Sequence, residues 1–318
     1  MVNLVAVQPE VSLADYASAE TFRDKILGLT EEAVAGLPGY PALVAFPELI
    51  GFPLLLMGHR DQRLIKTIKK RLTRSWKNIL IHGWQHRFFG LSLMYLPSVL
   101  PAYEAYTAAF KEAAKTFKVT IVAGSSLLPY VTHEPGLGLH IAHPKVYNTS
   151  FIFSPTGNVL GQIHKVHLTP GLESQMGLSR GRLQDLKVFQ TPVGKVGVAI
   201  CLDAFHDSVI GQLDGLGAEI VVQPSANNAL WNRPWPKDNS LTEGEAWCRY
   251  GLKHTLLGTQ NLRYGVNPML IGDLWDLRFE GLSSILESNH DSVTILSQAG
   301  SIKQTLVKAT VDVKTLSR

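Results

Sequence analysis

The sequence predicts a layered α/β domain. Strand-like and helix-like stretches alternate from the first residues, two hairpins with turn-forming residues follow in the second half, and no repeat or linker breaks up the 318 residues. A chain of this length can bury a large core, and we read it as one domain.

Residues 2–8 form a buried strand around Leu4-Val-Ala-Val7. Phe22, Ile26, Leu29 and Ala33 then recur at helical spacing up to Gly36 and Pro38. Leu43-Val-Ala-Phe46 is a second short strand, broken by Pro47-Glu48. Tyr103, Tyr106, Phe110, Ala114 and Phe117 mark one helix face, followed by strand Thr120-Ile-Val-Ala123. Val146–Phe153 and Val159–His164 flank the turn residues Ser154-Pro-Thr-Gly-Asn158. Val188–Thr191 and Val196–Ile200 flank a second turn. A helix from about Ser208 to Leu216 leads to strand Glu219–Val222. Thr242 and Glu245 have capping-box spacing, and strands near Ser292–Ser297 and Leu306–Val313 close the chain.

Residues 54–98 interrupt this rhythm. They carry nine Lys or Arg and one acid, whereas the whole chain has a net charge of +4, so the remainder is mildly acidic and a general nucleic-acid partner is not expected. Leu64, Ile65, Ile68, Leu72, Trp76 and Ile79 form an apolar stripe opposite Arg63, Lys66, Lys70, Arg74 and Lys77. An aromatic stretch through Trp84, Phe88, Phe89 and Tyr95 follows. Its uncharged run contains two prolines and is shorter than the roughly 20 residues a spanning helix needs. The preferred expectation is a lid or subunit-contact helix; peripheral contact with an anionic membrane is the alternative.

Met1 leads directly into a strand with no basic leader, so no signal peptide is expected. Cys201 and Cys248 are the two cysteines, too few for a disulfide framework or a cysteine zinc site. The expectation is a cytoplasmic protein with reduced thiols. Among eleven histidines, His82/His86 and His140/His143 have close spacing but no carboxylate in a ligand pattern, so no metal site is assigned.

Three strands stop at a reactive group: Val44-Ala-Phe-Pro-Glu48, Gly161-Gln-Ile-His-Lys165 and Val198-Ala-Ile-Cys201. Strand ends at one sheet edge commonly form active sites. A cysteine nucleophile needs a base for its proton and a donor for the oxyanion of its target, and a carboxylate and an ammonium meet those needs.

With Val5-Ala-Val-Gln8, Phe46-Pro-Glu48, Tyr147-Asn-Thr149, Pro155-Thr-Gly157, His164-Lys-Val-His-Leu168, Gly197-Val-Ala-Ile-Cys201-Leu-Asp203 and Gly217-Ala-Glu-Ile-Val-Val-Gln-Pro-Ser225, the sequence resembles the nitrilase or carbon–nitrogen hydrolase superfamily. The resemblance covers most of the chain outside 54–98. It implies a four-layer αββα sandwich, commonly paired across subunits into a homodimer. It also implies Glu48 as general base, Lys165 as oxyanion stabiliser, Cys201 as nucleophile and the Leu202 backbone amide as second oxyanion donor. The amidase-like branch adds a second Glu eight residues after the Lys, here Glu173, and no cofactor is implied. Arg249 and Asn261 keep the spacing of a late family motif whose other positions are replaced. Nitrilases proper tend to carry Trp-Glu after the Cys; Leu202-Asp203 here points to amides over nitriles.

His167, Asn227 and Trp231 are pocket candidates beside this set: His167 is expected to shape the pocket rather than perform chemistry, and a structural role for Trp231 weighs about equally with walling the site. The expected function is hydrolysis of a non-peptide C–N bond in a small-molecule amide or carbamoyl compound through a cysteine thioester. The alternatives are nitrile hydrolysis, acyl transfer to an amine from a lipid-like or membrane-associated substrate, and a catalytically silent scaffold.

Overall fold

The computed structural model describes residues 1–57, 63, 64, 66, 96–134, 138–170, 173 and 176–313. Two sheets carry the architecture. The first has strand order Thr305–Val311, Val2–Gln8, Ala42–Ala45, Thr120–Val122, Gly138–Phe153, Ser126–Glu134, with Val159–His164 also paired to Gly138–Phe153. The second has order Val293–Gln298, Ser284–Ser288, Tyr264–Asn267, Ile220–Val222, Gly194–Val198, Val188–Thr191. Each sheet contains three neighbouring parallel strands flanked by antiparallel ones.

The strands read as continuous apolar runs because both faces of each sheet are covered. Val5, Val44 and Ile121 lie in register and face helices α1 (Ala19–Val34) and α2 (Leu96–Phe117), sharing a core with Phe22, Ile26 and Phe110. Leu4, Ala6, Leu43, Ala45 and Val122 point the other way, into the core of the second sheet with Val196, Val198, Ile220 and Val222. Helix α3 (Asp207–Gly215) and Leu252 and Leu256 cover that sheet's far face. Gly197 and Gly265 make this approach close: an added Cβ would crowd Leu213 at Gly197, and Leu256 and Leu252 at Gly265. The layers are therefore helix, sheet, sheet, helix, the four-layer αββα sandwich expected from the resemblance.

Several boundaries differ from the sequence expectation. Leu54, Leu55 and Leu56, at the start of the segment read as inserted, belong to a buried 3-10 turn, Phe52–Leu56. Helix α2 begins at Leu96, before Tyr103, and accommodates Pro101. The strand expected at Val146–Phe153 extends back to Gly138 and pairs with a strand the sequence did not reveal, Ser126–Glu134. Most of the basic stripe and the aromatic run through Trp84 to Tyr95, with His82 and His86, lie outside the described residues. Leu64 is buried, and its N–H donates to Asp276 Oδ1 at 2.9 Å. Among the described residues no helix is long and apolar enough to cross a membrane.

The Thr242–Glu245 capping box is present. Thr242 Oγ1 accepts from the Glu245 N–H, and the Glu245 carboxylate accepts from the Thr242 N–H, opening helix α4 (Glu243–Tyr250).

Candidate active site

Glu48, Lys165 and Cys201 each sit just beyond a strand end, and the sandwich brings them together. Strand Ala42–Ala45 continues its ladder through Phe46 N–H to Val122 O. The chain then turns at Pro47 to place Glu48, 2% exposed, inward. This turn lies against Gly124, whose φ of +69° and contact with the Pro47 carbonyl leave no space for a Cβ. Leu49 follows at φ +61°, its N–H donating to Ser125 Oγ at 2.9 Å.

Cys201 also lies in the left-handed region, at φ +52°, on the first residue of a 3-10 turn, Cys201–Phe205. Non-glycine residues held there cost about 1–3 kcal/mol each and cluster at functional sites. The Cys201 N–H donates to Pro224 O, and its carbonyl accepts from Gln223 Nε2 at 3.0 Å. The nucleophile candidate is thus fixed at both ends of its peptide. The Leu202 N–H lies in the first turn of this short helix, where amides lack partners within the helix itself.

The Lys165 ammonium is the hub. Its Nζ donates to Glu48 Oε1 and to Glu173 Oε2, both at 2.7 Å, and to Thr169 Oγ1 at 3.3 Å, with the side chain 1% exposed. Glu173 also accepts from the Thr169 N–H at 2.7 Å. Burial opposes the Lys165 charge, but Glu48, Cys201 and Glu173 push its pKa above the ordinary lysine value. Glu173 pays desolvation yet is held below its ordinary 4.5 by Lys165 and by Thr169 and Asn148. Glu48 is pushed up by burial, only partly offset by Lys165. Burial and the neighbouring Glu48 raise the Cys201 thiol well above its ordinary value, while Lys165 and the Ala226 N–H pull the other way. The Glu48 carboxylate lies close enough to the Cys201 thiol to affect its charge, and its Oε2 accepts from the Ala226 N–H at 3.2 Å. The resting pair is therefore a thiol beside a carboxylate that can take its proton.

Two residues complete this arrangement that sequence reasoning did not assign to it. Asn148 is fully buried, and its Nδ2 donates to Glu48 Oε1 at 2.8 Å and Glu173 Oε1 at 2.7 Å. Its backbone carbonyl accepts from Lys165 N–H at 2.9 Å. The available signal was its place in the stretch Tyr147-Asn-Thr149, which was among those carrying the family resemblance.

Asp203, also fully buried, accepts from the N–H groups of Val166 and His167 at 2.6–3.1 Å. It joins the turn after Cys201 to the turn after Lys165. Burial pushes its carboxyl up to about 7 against the pull of those amides.

Of the pocket candidates, His167 is bonded to Asp203, and Asn227 follows Ala226, which donates to Glu48. His167 stacks on His206 with ring centroids 3.7 Å apart, and its N–H is held by Asp203. Asn227 follows Ala226, but its side-chain amide is taken by the Ala229 and Glu280 carbonyls. Trp231 is buried against Gly244 and packs near Trp247, with its N–H on Glu280. The hydrogen bonds of Asn227 and Trp231 thus tie a loop together, whereas Glu48, Asn148, Lys165 and Glu173 form one continuous bonded set beside the Cys201 thiol.

The chain matches the carbon–nitrogen hydrolase family over residues 5–244. It is 29% identical over 121 residues to the probable hydrolase YhcX of Bacillus subtilis (strain 168), covering 38% of this chain and 21% of that protein. It is 32% identical over 129 residues to the omega-amidase NIT2 of Danio rerio, covering 38% of this chain and 42% of that one. The matches therefore span well under two thirds of these relatives. In structure it resembles Saccharomyces cerevisiae Nit3, a member of branch 10 of the nitrilase superfamily. The TM-score is 0.63 with 18% identity, over 97% of this chain and 89% of that one. At this identity the structural likeness bears on the fold alone. The family match, which covers three quarters of the sequence, bears on membership: the chain belongs to the carbon–nitrogen hydrolase family.

Proposed function

We propose that this chain hydrolyses the C–N bond of a small amide or carbamoyl compound through a thioester on Cys201. One observation carries the reading. A buried thiol on a strained turn lies beside a carboxylate, and that carboxylate shares a buried ammonium with a second carboxylate.

In the proposed reaction Glu48 takes the Cys201 proton as the sulfur attacks the carbonyl carbon. The negative charge that develops on oxygen is stabilised by Lys165 Nζ and the Leu202 N–H. Preorganised donors of this kind contribute about 3–4 kcal/mol each when measured by removal. The tetrahedral intermediate collapses, the C–N bond breaks, and Glu48 returns the proton to the departing nitrogen, which leaves as ammonia or amine. Water, deprotonated by Glu48, then attacks the thioester. The C–S bond breaks, the acid leaves, and the sulfur regains the proton from Glu48.

Lys165 remains protonated throughout, because two carboxylates hold its charge. Glu173 does not exchange the proton in this scheme. It fixes the ammonium and faces the substrate nitrogen or the attacking water.

Ammonia release across amides, carbamoyl compounds and nitriles tests the proposal. Amides or carbamoyl compounds should turn over, and Cys201→Ala should abolish release while the protein stays folded. Release at the wild-type rate by Cys201→Ala would overturn the reading.

A further inference from the structure

Two buried amide side chains that the reaction scheme does not use are tied to the peptide after Cys201. Strands Gly194–Val198, Ile220–Val222 and Tyr264–Asn267 run parallel and side by side, with Val198, Val222 and Val266 in register. Their chains therefore leave the sheet at one edge. Gln223 directly follows the middle strand, and Asn267 is the last residue of the strand on one side of it. Cys201 comes three residues after the end of the strand on the other side. Gln223 is fully buried and Asn267 is 8% exposed.

Burying an amide costs free energy unless its polar atoms are met, and Gln223 meets its carbonyl and its NH2 at once. Its Nε2 donates to the Cys201 carbonyl at 3.0 Å, and its Oε1 accepts from Asn267 Nδ2 at 3.0 Å. The Cys201 carbonyl can only accept, which fixes the direction of the line. Gln223 has to turn its NH2 towards the cysteine and its carbonyl towards Asn267, which answers with its own NH2. The backbone keeps the partners in reach: Gln223 N–H donates to Val266 O at 2.8 Å, and Cys201 N–H to Pro224 O at 2.9 Å.

A peptide unit is planar and trans, so the Cys201 carbonyl and the Leu202 N–H lie in one plane and point opposite ways. A group that holds the oxygen therefore aims the N–H. At φ +52° Cys201 turns out of its strand into the 3-10 turn, and its carbonyl takes a donor from the Gln223 side chain.

Resting on the hydrolase reading, we propose that Gln223, held by Asn267, is a positioning residue that aims the Leu202 N–H at the oxyanion. In this role neither side chain touches the substrate or exchanges a proton. Without the line the Cys201–Leu202 peptide is free to tilt, and a misplacement of about 1 Å in such a site can cost about 100-fold in rate.

Two reagents that meet the same sulfur separate this role from a general structural one. p-Nitrophenyl acetate acetylates a thiol through a tetrahedral oxyanion and releases p-nitrophenolate. Methyl methanethiosulfonate converts the thiol to a methyl disulfide; the reagent's S–S bond breaks, methanesulfinate leaves, and no oxyanion forms on carbon. Both rates are followed by the mass of the Cys201 peptide, which keeps Cys248 out of the measurement.

Gln223→Met, similar in length but without an N–H, should lower acetylation about 10- to 100-fold. Its reaction with methyl methanethiosulfonate should stay within about twofold of wild type. Asn267→Asp has no N–H to offer Gln223, so the Gln223 NH2 should turn away from Cys201 and acetylation should fall in the same selective way. In the Gln223→Met background Asn267→Asp should add nothing, because the two act through one line.

Unchanged acetylation in Gln223→Met, or an equal fall with both reagents, would overturn the assignment while the hydrolase reading stands. A wild-type protein whose Cys201 is never acylated, by this ester or by any amide, carbamoyl compound or nitrile, would remove that reading, and this proposal with it.

Discussion

Lys165→Met tests the charge balance at the centre of the site. The wild-type cluster holds two carboxylates and one ammonium, all at most 5% exposed, joined by two contacts of 2.7 Å. Removing the ammonium leaves two buried carboxylates facing each other across an apolar side chain. Breaking a buried pair in this way costs about 3–5 kcal/mol. Glu173→Gln alone removes one anion and weakens charge-assisted bonds, each worth about 1.5–3 kcal/mol.

If the two changes acted independently their costs would add. In Lys165→Met, however, the penalty comes from an excess of negative charge that Glu173→Gln relieves. The double variant should therefore be no less stable than Lys165→Met, with a coupling of about 1–3 kcal/mol. Urea unfolding of the four proteins at pH 7 measures this.

The sign of the pH dependence follows from the same contacts. In the wild type, Glu173 is held below its ordinary 4.5, so its contribution is present above pH 4.5 and lost as pH falls through the folded value. In Lys165→Met burial is opposed only by the Thr169 and Asn148 hydrogen bonds, and the folded value should rise above 4.5. That variant should lose stability as pH rises from 4.5. Strict additivity in the cycle, or a Lys165→Met protein as stable as wild type at pH 7, would refute the reasoning.

Other expected outcomes follow from neighbouring contacts. Glu48 must be ionised to accept the Cys201 proton and is pushed above 4.5 by burial; the acid limb of kcat/KM should have its midpoint above that value, and Glu48→Gln should lower kcat by at least about 100-fold. Asp203→Asn can keep one carbonyl oxygen on the Val166 and His167 amides while removing a carboxyl whose folded pKa is about 7. Because that value is raised, the wild-type group costs stability increasingly as pH rises from about 4 to 7. The melting temperature of Asp203→Asn relative to wild type should climb over that range; a pH-independent difference would count against it. Gly124→Ala should destabilise the protein by about 1–3 kcal/mol through its positive φ and its collision with Pro47, and the displaced Glu48 turn should lower activity as well.

The parts of the site legible in the sequence were those where local pattern and chemistry coincide. Glu48, Lys165 and Cys201 each follow the end of a short strand, and the strands before Glu48 and Cys201 were readable in the sequence as short apolar runs. Glu173 came from the family resemblance, since its own surroundings give no periodic signal.

Asn148 stayed hidden because a polar residue within a strand usually signals a solvent face, whereas this one turns inward between two carboxylates. Strand Tyr264–Asn267 contains a glycine and one β-branched residue; pairing with Ile220–Val222 and Ser284–Ser288 makes it a strand. The start of helix α2 was obscured by Pro97 and Pro101. A proline is tolerated in a helix's first turn, and Val99, Ala102 and Tyr106 supply a buried face that holds the helix together around them.

The most direct measurement of the central claim is the mass of the intact protein after rapid acid quenching with an amide substrate. The account predicts a species heavier by the acyl group, located to the Cys201 peptide, formed by wild type and missing from Cys201→Ala. An acyl group found on Cys248 or any other residue, or steady turnover in which Cys201 never carries one, would contradict it.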